Sequence, residues 1–193
     1  ANLLAGVAVT LLKSSTLVGR LKTEYILMET DERFLPSISR ELRPGHLLIT
    51  NIQKDQVQRN GEPDIIYRKL KQVIRPETHV YLNNEEPYTA SLQRFTDHPV
   101  FYGVAVNPKS FIKKNFYTTT LPCPICGAPI AFGIYNIDNI GPFRCDNCGF
   151  ASQEQPQYLL GNIDYKGHTC EMNGHTWPFR YDRLVQPVLD THC

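Results

Sequence analysis

The chain lacks any concentration of positive charge. Its 20 Lys and Arg face 19 Asp and Glu, the formal charge is +1, and no basic run exceeds the pair Lys113-Lys114. A surface that tracks a phosphate backbone needs clustered cations, so nucleic-acid binding is not expected. Long apolar runs are missing too. Leu3 to Leu12, the longest near the start, is about half of the roughly 20 residues a bilayer span needs, and it has neither the basic flank nor the cleavage site of a secretory signal. A cytoplasmic location is expected. There is no internal repeat and no low-complexity tract, which excludes repeat arrays.

What is present is the balance of a folded globular protein, with 41% hydrophobic and 20% charged residues. A length of 193 residues accommodates one ordinary domain and a small appendage. Four of the six cysteines form two Cys-x-x-Cys pairs. In a chain without an export signal such pairs read as reduced metal ligands and not as a disulfide framework.

Leu3, Leu4, Val7, Val9, Leu11 and Leu12 make an apolar segment of helical length with Asn2 as its cap, and a well-buried helix is expected. Short apolar runs then alternate with amphipathic stretches: Tyr25-Met28 and Phe34-Leu42, His46-Thr50 and Asp64-Ile74, His79-Leu82 and Pro87-Phe95, and finally Val100-Val106. Strands separated by helical patterns imply β-α-β units and an α/β fold with a parallel sheet. After Val106 the composition changes. Residues from Tyr158 to Tyr181 read as short strands, with Asn173-Gly174 as a hairpin turn. The expected organisation is an α/β core over 1–106, a cysteine insertion over 107–157 and a β-rich return to the core over 158–193.

Cys123-Pro124-Ile125-Cys126-Gly127 is answered by Cys145-Asp146-Asn147-Cys148-Gly149, with 18 residues between the inner cysteines. Two residues between thiols let both sulfurs of one turn reach one ion, and each trailing Gly can adopt positive φ. Cys123, Cys126, Cys145 and Cys148 are therefore expected to hold one structural zinc in a two-knuckle ribbon. Four protein ligands leave no open position for Lewis-acid chemistry. A redox dithiol and an iron–sulfur centre are the competing readings. His168 and His175 flank Cys170 at a spacing a second metal site can use, but satisfied polar residues near a hairpin are the favoured reading. Cys170 and Cys193 have no Cys-x-x-Cys partner and are read as core or surface thiols. Tyr135, Phe143 and Phe150 are expected to pack within the ribbon.

Several motifs, taken in order, resemble the central domain of the Mur ligase family: Ala1-Asn2-Leu3-Leu4-Ala5-Gly6, Leu27-Met28-Glu29-Thr30-Asp31-Glu32, the run from Ile49-Thr50-Asn51 to Gly61-Glu62, and Tyr81-Leu82-Asn83-Asn84-Glu85-Glu86-Pro87. A four-cysteine ribbon inserted after them is similar to the MurT-type branch. The resemblance spans about residues 1 to 150. It implies an ATP-driven amide ligase of peptidoglycan synthesis, in which the α-carboxylate of D-glutamate in lipid II is phosphorylated and ammonia from a GatD-type glutaminase displaces the phosphate. It also implies ATP and magnesium as cofactors, and lipid II at the inner membrane face as substrate.

By position in these motifs, Glu29 falls where the family has an acid at the magnesium-phosphate site. Asn51, Asp55 and Gln56 fall on the nucleotide phosphates and metal, and Asn83 on the adenine. A carboxylate or amide just past a parallel strand lies where open α/β sheets bind ligands. Ordinary turn and cap chemistry is the alternative at each position. The chain departs from the family at Gln58, at Asn84-Glu85-Glu86 in place of Ala-Asp-Asp, and at Ala151-Ser152 in place of Arg-Pro. It also contains no Gly-x-x-x-x-Gly-Lys-Ser/Thr loop, the element that cradles β and γ phosphates. The expectation is a piece of a MurT-type ligase without the P-loop and the C-terminal domain, inactive alone, and subject to self-association or instability through an open sheet edge. A degenerate ligase-like scaffold and a non-enzymatic zinc-ribbon module are the alternatives.

Overall fold

The computed structural model describes residues 4–52, 63–105, 121–136 and 140–178. The chain divides into two compact units. One comprises Ala1–Pro44, Gln56–Val73 and Arg180–Cys193, the other Gly45–Asp55 and Ile74–Phe179.

Within the first unit, α1 (Leu4–Lys13), α2 (Leu35–Leu42) and α3 (Pro63–Val73) are helical. Ile66, Leu70 and Val73 recur on one face of α3, and Leu35, Ile38 and Ser39 on one face of α2; these two helices pack together. Arg43, at φ +48°, ends α2, and Pro44 follows. Two expectations are corrected here. Only Val7 of α1 is buried, while Leu4, Val9 and Leu12 are exposed. The apolar residues of α1 are spread around its circumference, so packing on one side covers only the Val7 side. Residues 25–28 form no strand, and Leu27 is 91% exposed. An apolar run becomes a strand only where a ladder partner meets its backbone groups, and no described strand pairs with this one. Asn2 lies outside the described residues.

The second unit is built on a six-stranded sheet in the order β1-β2-β3-β6-β7-β8, formed by β1 (His46–Ile49), β2 (His79–Asn83), β3 (His98–Val104), β6 (Tyr158–Asp164), β7 (Thr169–Met172) and β8 (His175–Pro178). A separate antiparallel pair joins β4 (Ala131–Phe132) to β5 (Phe143–Arg144). The first four strands of the large sheet are mutually parallel, β7 pairs antiparallel with β6, and β8 pairs antiparallel with β7. This is a mixed sheet: the parallel part matches the expected α/β pattern, and the antiparallel part is the short β region. The short helix α4 (Pro87–Ser91) runs into a 3-10 turn (Leu92–Phe95) between β2 and β3. Val80, Leu82, Leu92 and Phe101 form the core under β2 and β3, each at most 2% exposed.

The Asn173-Gly174 turn is as expected. Asn173 sits at φ +51° and Gly174 at φ +76°, the paired positive values of a two-residue turn that twists with its strands. The Asn173 side chain also accepts from the Leu159 amide at 2.7 Å and donates to the Gln157 carbonyl at 2.8 Å, stitching the turn to the start of β6.

Phe101→Ala should cost about 3–5 kcal/mol in urea unfolding. Leu27→Ser, at a solvent-exposed position, should change stability by less than about 0.5 kcal/mol.

Candidate functional site

The two Cys-x-x-Cys turns have the same backbone. The Gly127 amide donates to the Cys123 carbonyl at 2.8 Å and the Gly149 amide to the Cys145 carbonyl at 2.9 Å, with φ of +79° and +77° at the glycines. Each turn closes with a 2.7 Å bond, from the Cys123 amide to the Ala128 carbonyl and from the Cys145 amide to the Phe150 carbonyl. A side chain at either glycine would strain that positive φ. The four sulfurs lie within 4.8 Å of one another, with Cys123–Cys148 at 3.7 Å and Cys126–Cys145 at 3.5 Å. Tetrahedral thiolates at a metal–sulfur distance of about 2.3 Å are about 3.8 Å apart, so the set fits one ion.

Its protonation chemistry agrees. A hydrogen bond from Asn147 and the Ala128 amide bring the Cys126 thiol down to about 6. At Cys148 the Phe150 amide favours ionisation, but burial and the neighbouring thiols outweigh it and push the group up to about 12. Four sulfurs this close cannot all ionise unless a cation offsets their repulsion. Tyr135 and Phe143 are buried, and Phe132, Tyr135, Phe143 and Phe150 form a chain of ring contacts at 5.0–6.4 Å. The aromatic residues therefore pack the ribbon itself. Among the described residues no metal-ligand group forms at His168, Cys170 and His175; Cys193 lies outside the described residues.

The polar residues expected on the nucleotide side are only partly brought together. Glu29 belongs to the first unit, is exposed, and follows an irregular stretch instead of a strand. Its neighbour Asp31 is committed to Arg33, whose guanidinium it binds through both carboxylate oxygens. Asn51 and Asn83 lie just past β1 and at the end of β2, adjacent parallel strands, so both stand at one carboxyl edge. Asn83 donates to the Thr50 carbonyl at 3.0 Å and accepts from the Glu85 amide at 3.0 Å. Asp55 and Gln56 lie outside the described residues.

Sequence reasoning missed Tyr102, whose hydroxyl donates to the Ile49 carbonyl at 2.8 Å and Thr50 carbonyl at 3.2 Å. Burial, then the nearby Glu86 and Glu85, push its phenol well above the usual range, so it is a fixed donor. Asn84-Glu85-Glu86 read only as a departure, yet all three side chains are buried and bonded. Glu86 accepts from the Tyr88 amide at 3.1 Å, the Thr89 amide at 2.8 Å, the Thr89 hydroxyl and the Ile52 amide at 3.2 Å, so it caps α4 and ties down the loop after β1. Glu85 accepts from the Val104 amide at 2.7 Å and from Asn136 at 2.8 Å. The clue was available: two acids directly before Pro87-Tyr88-Thr89 are where a helix start needs an acceptor. Beside them an open groove of about 770 Å³ runs between the cysteine segment and the sheet, lined by Glu85, Val104, Phe132, Phe143 and Leu159 among others.

No protein-family model matches the sequence. The subunit MurT of lipid II isoglutaminyl synthase (glutamine-hydrolyzing) from Staphylococcus aureus, in strains COL and N315, is 28% identical over 165 residues, which is 85% of this chain and 36% of the relative. The subunit of the same name from Streptococcus pneumoniae (strain ATCC BAA-255 / R6) is 27% identical over 154 residues, 77% of this chain and 33% of the relative. The chain thus spans about a third of the length of these curated relatives. A solved pseudomurein peptide ligase type C from Methanothermus fervidus superposes with a TM-score of 0.57 at 20% identity, over 74% of this chain and 28% of that one. The mostly parallel sheet and this superposition define a Mur-ligase-like α/β fold. Within that class, the sequence matches make the chain a relative of the MurT subunits.

Burial raises the carboxyl groups of Glu85 and Glu86 above their ordinary value. The folded state therefore holds their protons more tightly than the unfolded chain. This contribution to stability is fully present below the unfolded value of about 4.3 and is lost as pH rises through the folded values. Unfolding midpoints of the wild type relative to Glu86→Gln should accordingly fall as pH rises from 4 to 8; the pH dependence of metal binding cancels in that difference.

Proposed function

We propose that this chain is the central-domain portion of an ATP-dependent amide ligase of peptidoglycan synthesis that converts D-glutamate in the lipid II stem peptide to isoglutamine. The observation that carries this reading is the similarity to MurT subunits along 85% of the chain, with the strand-end motifs and the cysteine pairs in order. Names of the relatives combine glutamine hydrolysis with isoglutaminyl synthesis on lipid II, which supports a GatD-type amidotransferase as partner and ammonia as nucleophile. ATP, with magnesium, would activate the α-carboxylate by phosphorylation.

In this reading Asn51, Asn83, Asp55 and Gln56 face the nucleotide, and Glu29 serves the magnesium-phosphate site. Tyr102 and Glu86 hold the backbone from which Asn51 projects, so that its position does not depend on the nucleotide. The four cysteines hold a structural zinc: a closed thiolate set suits that ion and supplies shape where β4 and β5, two residues each, supply little core. The sequence given has no phosphate-binding Gly-Lys loop, so these 193 residues alone are expected to form no amide. No described helix is long and apolar enough to cross a membrane, and cytoplasmic action on lipid II at the inner face is the proposed setting.

One observation favours a second reading, a ligase-like scaffold without nucleotide. Asn83 and Asn84 each spend both ends of the side-chain amide on internal bonds, and Glu85 both of its carboxyl oxygens. Incubating the full-length protein that contains this segment with lipid II, glutamine, Mg-ATP and a GatD-type glutaminase separates the two. Amidated lipid II, resolved by mass spectrometry and dependent on ATP, is the expected product; normal folding with no product and no ATP binding would establish the scaffold.

Metal analysis of the purified chain should give one zinc per molecule. Cys145→Ser should abolish retention of the ion, whereas Cys170→Ser should leave it at one.

A further inference from the structure

Four consecutive residues at the end of β2 are where two parts of the second unit meet. Asn83 and Glu86 hold the loop after β1, through the Thr50 carbonyl and the Ile52 amide. Asn84 and Glu85, between them, hold the cysteine segment. Asn84 forms a two-way pair with the backbone of Gln153, donating at 2.9 Å and accepting at 2.8 Å. The Glu85 carbonyl accepts from the Gly141 amide at 3.0 Å, and one Glu85 carboxyl oxygen accepts from Asn136 at 2.8 Å. The other oxygen accepts from the Val104 amide at the end of β3. Asn136 and Gly141 lie between the two knuckles, and Gln153 lies five residues past Cys148.

Two glycines are needed for this contact. A Cβ on Gly103 would stand 3.0 Å from a Glu85 carboxyl oxygen, and one on Gly141 would stand 2.2 Å from the Ile134 carbonyl. A carboxyl group as buried as that of Glu85 is costly unless its bonds are made. Half of its side-chain bonding comes from the cysteine segment. That segment has only a small core of its own, and an ion joining its knuckles would also fix where Asn136 and Gly141 sit.

We propose that Glu85 is a positioning residue that couples metal occupancy at the four cysteines to the geometry of the Asn83–Glu86 loop, and through Asn83 and Glu86 to the backbone carrying Asn51. Calling that loop the nucleotide side rests on the proposed ligase function, whereas the coupling rests only on the proposed metal at the four cysteines. With the ion removed, Asn136 and Gly141 lose their fixed positions. Glu85 then gives up the Val104 amide as it re-solvates, and its neighbours move with it.

Amide hydrogen exchange on the full chain, with zinc and after chelation, tests this. Chelation should accelerate exchange at Val104 and Glu85 by at least about tenfold, the size of losing one buried hydrogen bond, while the Leu82 amide in the middle of the sheet stays protected. Asn136→Asp, which sets carboxyl against carboxyl, should show the fast exchange even with zinc bound. The swapped pair Glu85→Gln with Asn136→Asp should restore protection, because the Gln amide then donates to the Asp. Unchanged Val104 and Glu85 amides on chelation would overturn the coupling, as would equal loss at Leu82 or failure of the swapped pair. If Mg-ATP added to the full-length protein leaves the Asn51 and Asn83 side-chain amide resonances unmoved while the zinc-dependent exchange persists, the nucleotide-side reading fails and the coupling stands.

Discussion

Two successive carboxyl groups, Glu85 and Glu86, are buried at the end of β2; Glu85 takes its donors from Val104 and Asn136, and Glu86 takes its own from the start of α4 and from Ile52. An acceptor withdrawn from water must find donors where it lies, so its neighbours are constrained by it as much as it is by them. Glu86 defines where α4 starts and where the loop after β1 runs. Glu85 defines where the cysteine segment sits against β3. The carboxyl edge of this unit, with Asn51, Asn83 and Tyr102, is organised around that pair.

The four-cysteine site solves a different problem. Antiparallel strands of two residues cannot bury enough apolar surface to persist alone, and four stacked or tilted aromatic rings add only a small core. Thiolates around the proposed ion would supply the missing cross-links. The departure at Ala151-Ser152 belongs to the same arrangement: Ser152 exchanges hydrogen bonds with Phe143, so the chain leaving the second knuckle is laid back along β5. The ribbon is thus anchored twice, by its own sulfurs and by the end of β2.

Where local chemistry was sufficient, the sequence was legible. The α3 stripe, the three strands beginning at His46, His79 and His98, the Asn173-Gly174 hairpin and both knuckles depend on spacing and on residue types with narrow conformational preferences. Residues 25–28 were misread because an apolar run says nothing about whether a ladder partner exists. The burial of α1 was misread because apolar residues on every side of a helix do not reveal which side is covered. Glu29 was placed by motif position, and only its concurring place after a strand falls with residues 25–28.

Sequence by itself determined the four-cysteine cluster, the parallel α/β pattern and the similarity to MurT subunits, because each is carried by residues close in the chain or by motif order. Only the tertiary structure decided what Asn84 and Glu85 do, and that Glu86 reaches Ile52 as well as the helix it caps. Their donors from elsewhere in the chain are Ile52, Val104, Asn136 and Gln153, 19 to 69 residues away, and no local pattern reports a hydrogen bond made across that distance. The acids that looked like a departure from a nucleotide motif are the ties that hold the sheet edge and the ribbon in one unit.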